Sequence, residues 1–194
     1  DNLKVWIGSF PFESGPYWNG SIDEVRVWNR TLTANEIARE YQSQIKKIQP
    51  TLNNYEHNST FTSEIFDLGK NPNMSEISWG QDIPHSAYYF QDGLVFGWDG
   101  ATNTSYSNGS ITLNESGGVV IGGNTSIFPD NNATYFDGAD DYINVTDLDS
   151  LDFGTNSFTV SAWAKTSTVG DANMIVSKRK DVSSKEGFDF IIDS

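Results

Sequence analysis

A chain of 194 residues, 37% apolar and 20% charged, has material for one good core and is neither a disordered nor a membrane-embedded composition. Its formal net charge of −14 would repel a phosphate backbone, which argues against nucleic acid as a partner. No apolar run approaches the roughly 18 residues of a membrane helix, and the absence of cysteine removes disulfides and thiolate metal sites.

Residues 3–8 read as a strand, and a Pro/Gly/Ser-rich turn follows at 9–16. Residues 18–28 read as a second strand. Strict alternation puts Ile22, Glu24, Arg26 and Trp28 on one face and Asp23, Val25 and Val27 on the other. Thr33 and Glu36 have the spacing of a capping box, which predicts a short helix near 34–42 with Ile37 and Tyr41 on its apolar face. Residues 42–60 lose periodicity and read as a linker, followed by two short strands at 61–68 and 75–79. From Gly93 onward, strands are expected at 94–98, 118–121, 133–136, 142–145, 158–164, 174–178 and 188–192, between Gly/Asn/Asp turns. Many short strands at this spacing predict a sandwich or barrel. The pattern opens and closes within strands, so a segment of a longer protein is expected.

Asn-x-Ser/Thr triplets occur ten times, at Asn19, Asn29, Asn58, Asn73, Asn103, Asn108, Asn114, Asn124, Asn132 and Asn144. This is the acceptor pattern for N-glycosylation of an exterior protein. It also arises wherever Asn, Ser and Thr cluster in β-turns.

The stretch 18–37 contains Gly20, Ile22-Asp23-Glu24-Val25, Asn29-Arg30-Thr31-Leu32 and Glu36-Ile37. It resembles the closing signature of LamG-like, concanavalin A-like jelly-roll modules. Three later stretches resemble the opening half of the same family: Gly93-Leu94-Val95-Phe96-Gly97-Trp98, Phe136-Asp137-Gly138-Ala139-Asp140-Asp141-Tyr142, and Leu151-Asp152-Phe153 leading to Phe158-Thr159 and Trp163. The resemblance implies an all-β, antiparallel sandwich, incomplete or permuted, with the one short helix near 34–42. It divides the chain into the end of one module (1–45), a linker with a short β segment (46–92) and the beginning of another (93–194). A tandem array cut across two modules gives this order. Whether the two partial modules pair with each other is open at this level.

Asp137, Asp140 and Asp141 cluster around Gly138, and hard carboxylate oxygens on a turn suit calcium. The resemblance adds Asp23 as a partner of Asp137, because a structural calcium in such sandwiches often joins the closing and opening strands. The alternative is that these aspartates cap turns, and Asp147, Asp149 and Asp152 read as a solvated turn. Aromatic faces stack on sugars; Tyr17, Trp18 and Tyr106 lie near turns and are the candidate ligand contacts, whereas Trp98 and Trp163 sit in strand patterns and are expected in the core. Catalysis is not expected. Adjacent Asp23 and Glu24 should face opposite sides, His57 and His85 have no neighbouring nucleophile, and there is no nucleophile elbow or phosphate loop. The resemblance therefore implies a non-catalytic, extracellular carbohydrate-binding or adhesion segment of a multidomain surface protein. Its partner would be a glycan or surface glycoprotein, with no membrane insertion in this segment. The alternatives are an accessory module of a secreted glycoside hydrolase and a structural spacer of a surface layer. The lack of cysteine points to a bacterial or archaeal cell surface.

Overall fold

Alternation in the first strand is read directly into the fold. In β1 (Val5–Ile7), Val5 and Ile7 enter the core, while Trp6 turns the other way and meets Tyr142 with ring centroids 4.8 Å apart. The computed structural model describes residues 3–10, 17–48, 92–101, 103–107, 111–128, 131–167, 173–180 and 186–193. The expected strands at 61–68 and 75–79, and both histidines, lie outside the described residues.

Two antiparallel sheets form the molecule. The five-stranded sheet runs β11 (Gly187–Ile192), β10 (Asn173–Arg179), β1, β8 (Tyr142–Val145), β5 (Leu113–Ser116). The six-stranded sheet runs β4 (Thr104–Ser107), β3 (Leu94–Asp99), β2 (Asn19–Trp28), β7 (Asn131–Asp137), β6 (Val120–Phe128), with β9 (Thr159–Thr166) also paired to β2. Val5, Ile7, Ile143, Val145 and Ile175 of one sheet pack with Ile22, Val25, Val27, Phe96, Trp98 and Phe136 of the other. Each such side chain contributes roughly 1.5–3 kcal/mol of burial free energy. The architecture is an antiparallel β-sandwich of the jelly-roll type, with one α-helix and a 3-10 turn at Asp149–Leu151 among the described residues. β4 and β5 were not foreseen: their polar sequences, Thr104-Ser105-Tyr106-Ser107 and Leu113-Asn114-Glu115-Ser116, carry almost no β-branched or alternating signal, and both are edge strands.

β1 and β2 each lie inside a sheet whose other strands come from residues 94–192. The early and late stretches therefore pair with each other around one core, which covers edges that would otherwise be open.

β2 organises the six-stranded sheet. One of its edges pairs with β9 over nearly its whole length, from Gly20 opposite Thr166 to Trp28 opposite Thr159. Its other edge is shared: residues 19–22 pair with β7, and residues 25–28 with β3. α1 (Ala34–Ile48) then crosses the outer face of this sheet. Its start is the expected capping box, with Glu36 N–H donating to Thr33 Oγ1 at 3.3 Å and Thr33 N–H to Glu36 Oε2 at 2.7 Å. Arg30 donates to both oxygens of Glu36, and this pairing is the first cause of a Glu36 pKa lowered to about 2. On the outer face Tyr41 stacks on Trp163, centroids 5.6 Å apart, so Trp163 is under the helix and not in the core as expected.

Candidate functional site

The site begins with a break in alternation. Ile22, Val25 and Val27 all pack in the main core, a step of three and then of two. A register shift against β9 lies between Asp23 and Arg26, and Glu24 has a φ of 53°. This is a β-bulge: the extra residue turns Asp23 and Glu24 both away from the core. The expectation that these neighbours face opposite sides is therefore corrected. The same bulge sits where β2 changes partner from β7 to β3. Gly100, just after β3, fills that junction; a Cβ there would lie 2.6 Å from the Ile22 carbonyl oxygen. The Gly100 carbonyl accepts from Thr134 Oγ1 at 2.6 Å, and its N–H donates to Asp23 Oδ1 at 2.9 Å.

Asp23 Oδ1 also accepts from the Glu24 N–H at 2.8 Å. The side chain is nevertheless out of water, with the residue 1% exposed. Burial first, and then the charges of Glu24 and Asp99, push its pKa from 3.8 up to about 7. Beside it the Arg26 guanidinium is held between the carboxylates of Glu24 and of Glu40 on α1, all three buried. This ion cluster ties the helix to the sheet.

A pocket of about 130 Å³ opens next to the cluster, lined among others by Glu24, Arg26, Gly97, Asp99, Ser105 and Tyr106. The register explains it. Arg26 on β2, Gly97 on β3 and Tyr106 on β4 lie in one row across the sheet. Gly97 contributes no side chain, so the space between Arg26 and Tyr106 is left open; a Cβ would meet Tyr106 Cβ only at 3.9 Å and Arg26 Cγ at 4.0 Å. Tyr106 is 43% exposed at the rim.

The other expected positions fall elsewhere. Trp18 is fully buried in the main core and cannot be a surface ligand contact, which corrects that expectation: it precedes a strand whose alternation turns it inward. Tyr17 is half-buried just before β2, at the end of that strand remote from Arg26 and Tyr106, so it shares no site with Tyr106. Asp137 pairs with Asn19, and Asp23 is four residues further along β2, roughly 13 Å at strand rise. The structure does not bring Asp23 and Asp137 together.

Asp137, Asp140 and Asp141 do come together, with carboxylate oxygens within 4.8 Å of one another. Their roles differ. Asp141 is 1% exposed; Oδ2 accepts from the Asp137 N–H at 2.7 Å and Oδ1 from the Gly118 N–H. Asp137 Oδ1 accepts from the Ala139 N–H at 2.8 Å, across the turn that Gly138 makes at φ 84°. Asp137 and Asp140 are exposed on the outer side of this turn, while Asp141 is buried. The stretch 147–152 is not simply solvated: Asp147 and Asp152 hold the buried Lys178 ammonium at 2.8 and 2.9 Å.

Sequence reasoning passed over Glu24, Arg26, Gly97 and Asp99. The available signal was the spacing of Ile22, Val25 and Val27, which breaks a two-residue period. Nothing local marks Gly97 or Asp99, which reach Arg26 only through strand pairing.

The concanavalin A-like lectin/glucanases superfamily matches residues 1–38, a span that holds β1, β2 and the start of α1, hence Asp23, Glu24 and Arg26. The match is compatible with carbohydrate binding or adhesion. No curated protein and no solved structure matches the chain. No described helix is long and apolar enough to cross a membrane.

Proposed function

We propose that this chain is a non-catalytic carbohydrate-binding segment of an extracellular surface protein, and that the sugar occupies the pocket between β2, β3 and β4. The observation that carries this reading is the row Arg26–Gly97–Tyr106: an exposed aromatic ring beside an open floor, with the carboxylates of Glu24 and Asp99 alongside. The ring of Tyr106 offers an apolar face to the C–H side of a pyranose. The Asp99 carboxylate accepts from its hydroxyls in strong, charge-assisted bonds. The superfamily match over β2 supports the same class of ligand. Within this reading the two stretches are the end of one module and the beginning of another, and the ten acceptor triplets fit an exterior setting.

The absence of catalysis is part of the proposal. A glycosidase needs two carboxyl groups that reach opposite sides of the scissile bond. Asp23 is 1% exposed, and the Glu24 carboxylate is held on Arg26, so neither reaches a glycosidic oxygen.

Calorimetric titration with a panel of oligosaccharides tests the reading. Wild type binds at least one of them, and both Tyr106→Ala and Gly97→Val abolish the heat. Gly97 has ordinary room for a Cβ, so Gly97→Val fills the pocket while the protein still melts cooperatively. Binding that survives both substitutions removes the pocket from the reading. No binding by any saccharide leaves an architectural spacer.

A further inference from the structure

The charge of the pocket is one-sided. Among the described residues that line it, Glu24 and Asp99 are anionic and Arg26 is the one cation. Arg26 offers little to an incoming ligand, since its side chain is 3% exposed and clasped by Glu24 and Glu40. Asp23 is within electrostatic reach of Glu24 and Asp99, while the guanidinium is paired with Glu24 and Glu40. Asp23 also reports the sign of the local field, because Glu24 and Asp99 both act to keep a proton on it. Burial is the larger cause of its raised pKa; the part due to the two carboxylates favours a cation over an anion beside them.

We infer that the pocket selects sugars that carry a free, protonated amino group, over their N-acetylated counterparts and over uronic or sulfated sugars. The inference rests on the carbohydrate reading above. An ammonium brings three donors and a positive charge to a rim that presents the Asp99 carboxylate. Acetylation removes that charge and adds bulk where the space is about 130 Å³. A carboxylate or sulfate would place like charge beside partly buried carboxylates, where screening by salt is weak.

A chain of net charge −14 attracts any polycation, so the test must separate site from surface. Short β-linked glucosamine oligomers, N-acetylglucosamine oligomers of the same length and oligouronates would be titrated below pH 7, where the amines are charged. Wild type should bind the free-amine oligomer at least about tenfold tighter than the acetylated one, the equivalent of one charge-assisted hydrogen bond, and should not bind the oligouronate. Asp99→Asn should collapse that preference. Asp193→Asn, which removes one exposed carboxylate near the end of the chain, should leave it intact. Equal or tighter binding of the acetylated oligomer, still lost in Tyr106→Ala, overturns the amino-sugar inference and keeps the carbohydrate reading. A free-amine preference that Asp193→Asn weakens as much as Asp99→Asn is surface attraction and also overturns it. No saccharide binding at all overturns both.

Discussion

Two acidic regions of this sandwich put the same side chains to different uses. At the β2 bulge, Glu24 and Glu40 clasp the Arg26 guanidinium beside an open pocket, and Asp23 is buried next to Glu24. At the β7–β8 turn, Asp137 and Asp141 are answered by backbone N–H groups from their own and a neighbouring turn. Backbone donors are local and numerous in a turn, so its carboxylates are satisfied and the aspartates hold the chain in shape. At the bulge Asp23 also accepts from two backbone N–H groups, of Glu24 and Gly100, but Glu24 and Glu40 lean on the Arg26 guanidinium and buried Asp23 keeps its proton up to about pH 7. The lesson is that two backbone donors do not hold down the pKa of a carboxyl group when burial and like charges beside it act the other way.

The sharpest way to break this comparison is Arg26→Ala. It strips the counter-charge from two buried carboxylates, and about 3–5 kcal/mol of stability should be lost in urea unfolding. A loss below about 1 kcal/mol would mean that water already reaches Glu24 and Glu40. Next in size is Asp23→Asn. Folded Asp23 holds its proton up to about pH 7, against 3.8 for the ordinary group. Its contribution to stability is therefore full below pH 3.8 and is lost as pH rises through 7. Asparagine keeps the acceptor for Gly100 and Glu24 and carries no charge to desolvate. Asp23→Asn should match wild type near pH 4 and exceed it at pH 8, by at most about 4 kcal/mol. Equal stability of the two proteins across that range would show an unshifted carboxylate.

At the turn, Asp141→Ala should cost about 2–3 kcal/mol, since it leaves two amide donors of a partly buried turn without their acceptor. Asp140→Ala, at an exposed carboxylate, should stay within about 0.5 kcal/mol. If the two cost the same, the division of roles within the turn fails. Calcium is the smallest effect expected. Bound weakly through Asp137 and Asp140, millimolar calcium should raise the melting midpoint by about 1–2 °C over a chelator control. An unchanged midpoint removes calcium from this turn and leaves its aspartates as caps.

Much of the fold was legible. The helix start at Thr33 and Glu36, the strands rich in Val, Ile, Phe and Trp, and the acidic turn around Gly138 all follow from local rules, and each is present. The polar edge strands β4 and β5 escaped because nothing in them is buried strongly enough to leave a period. Trp18 turned inward with the alternation that leads into β2, and Trp163 took the outer face beneath α1, where Tyr41 stacks on it. Of the candidate ligand contacts, Tyr106 lines the pocket beside Arg26, and it does so through two strand pairings that no spacing encodes.

By itself the sequence determined an all-β sandwich with one capped helix, because apolar period and turn chemistry act within a few residues. Tertiary structure alone decided that strands near residue 20 join strands near residues 97, 106 and 163 in one sheet. It also decided that the step of three between Ile22 and Val25 becomes a bulge that turns two carboxylates to one side. Strand pairing is long-range, and the face a charge occupies is set by which neighbours close the sheet around it.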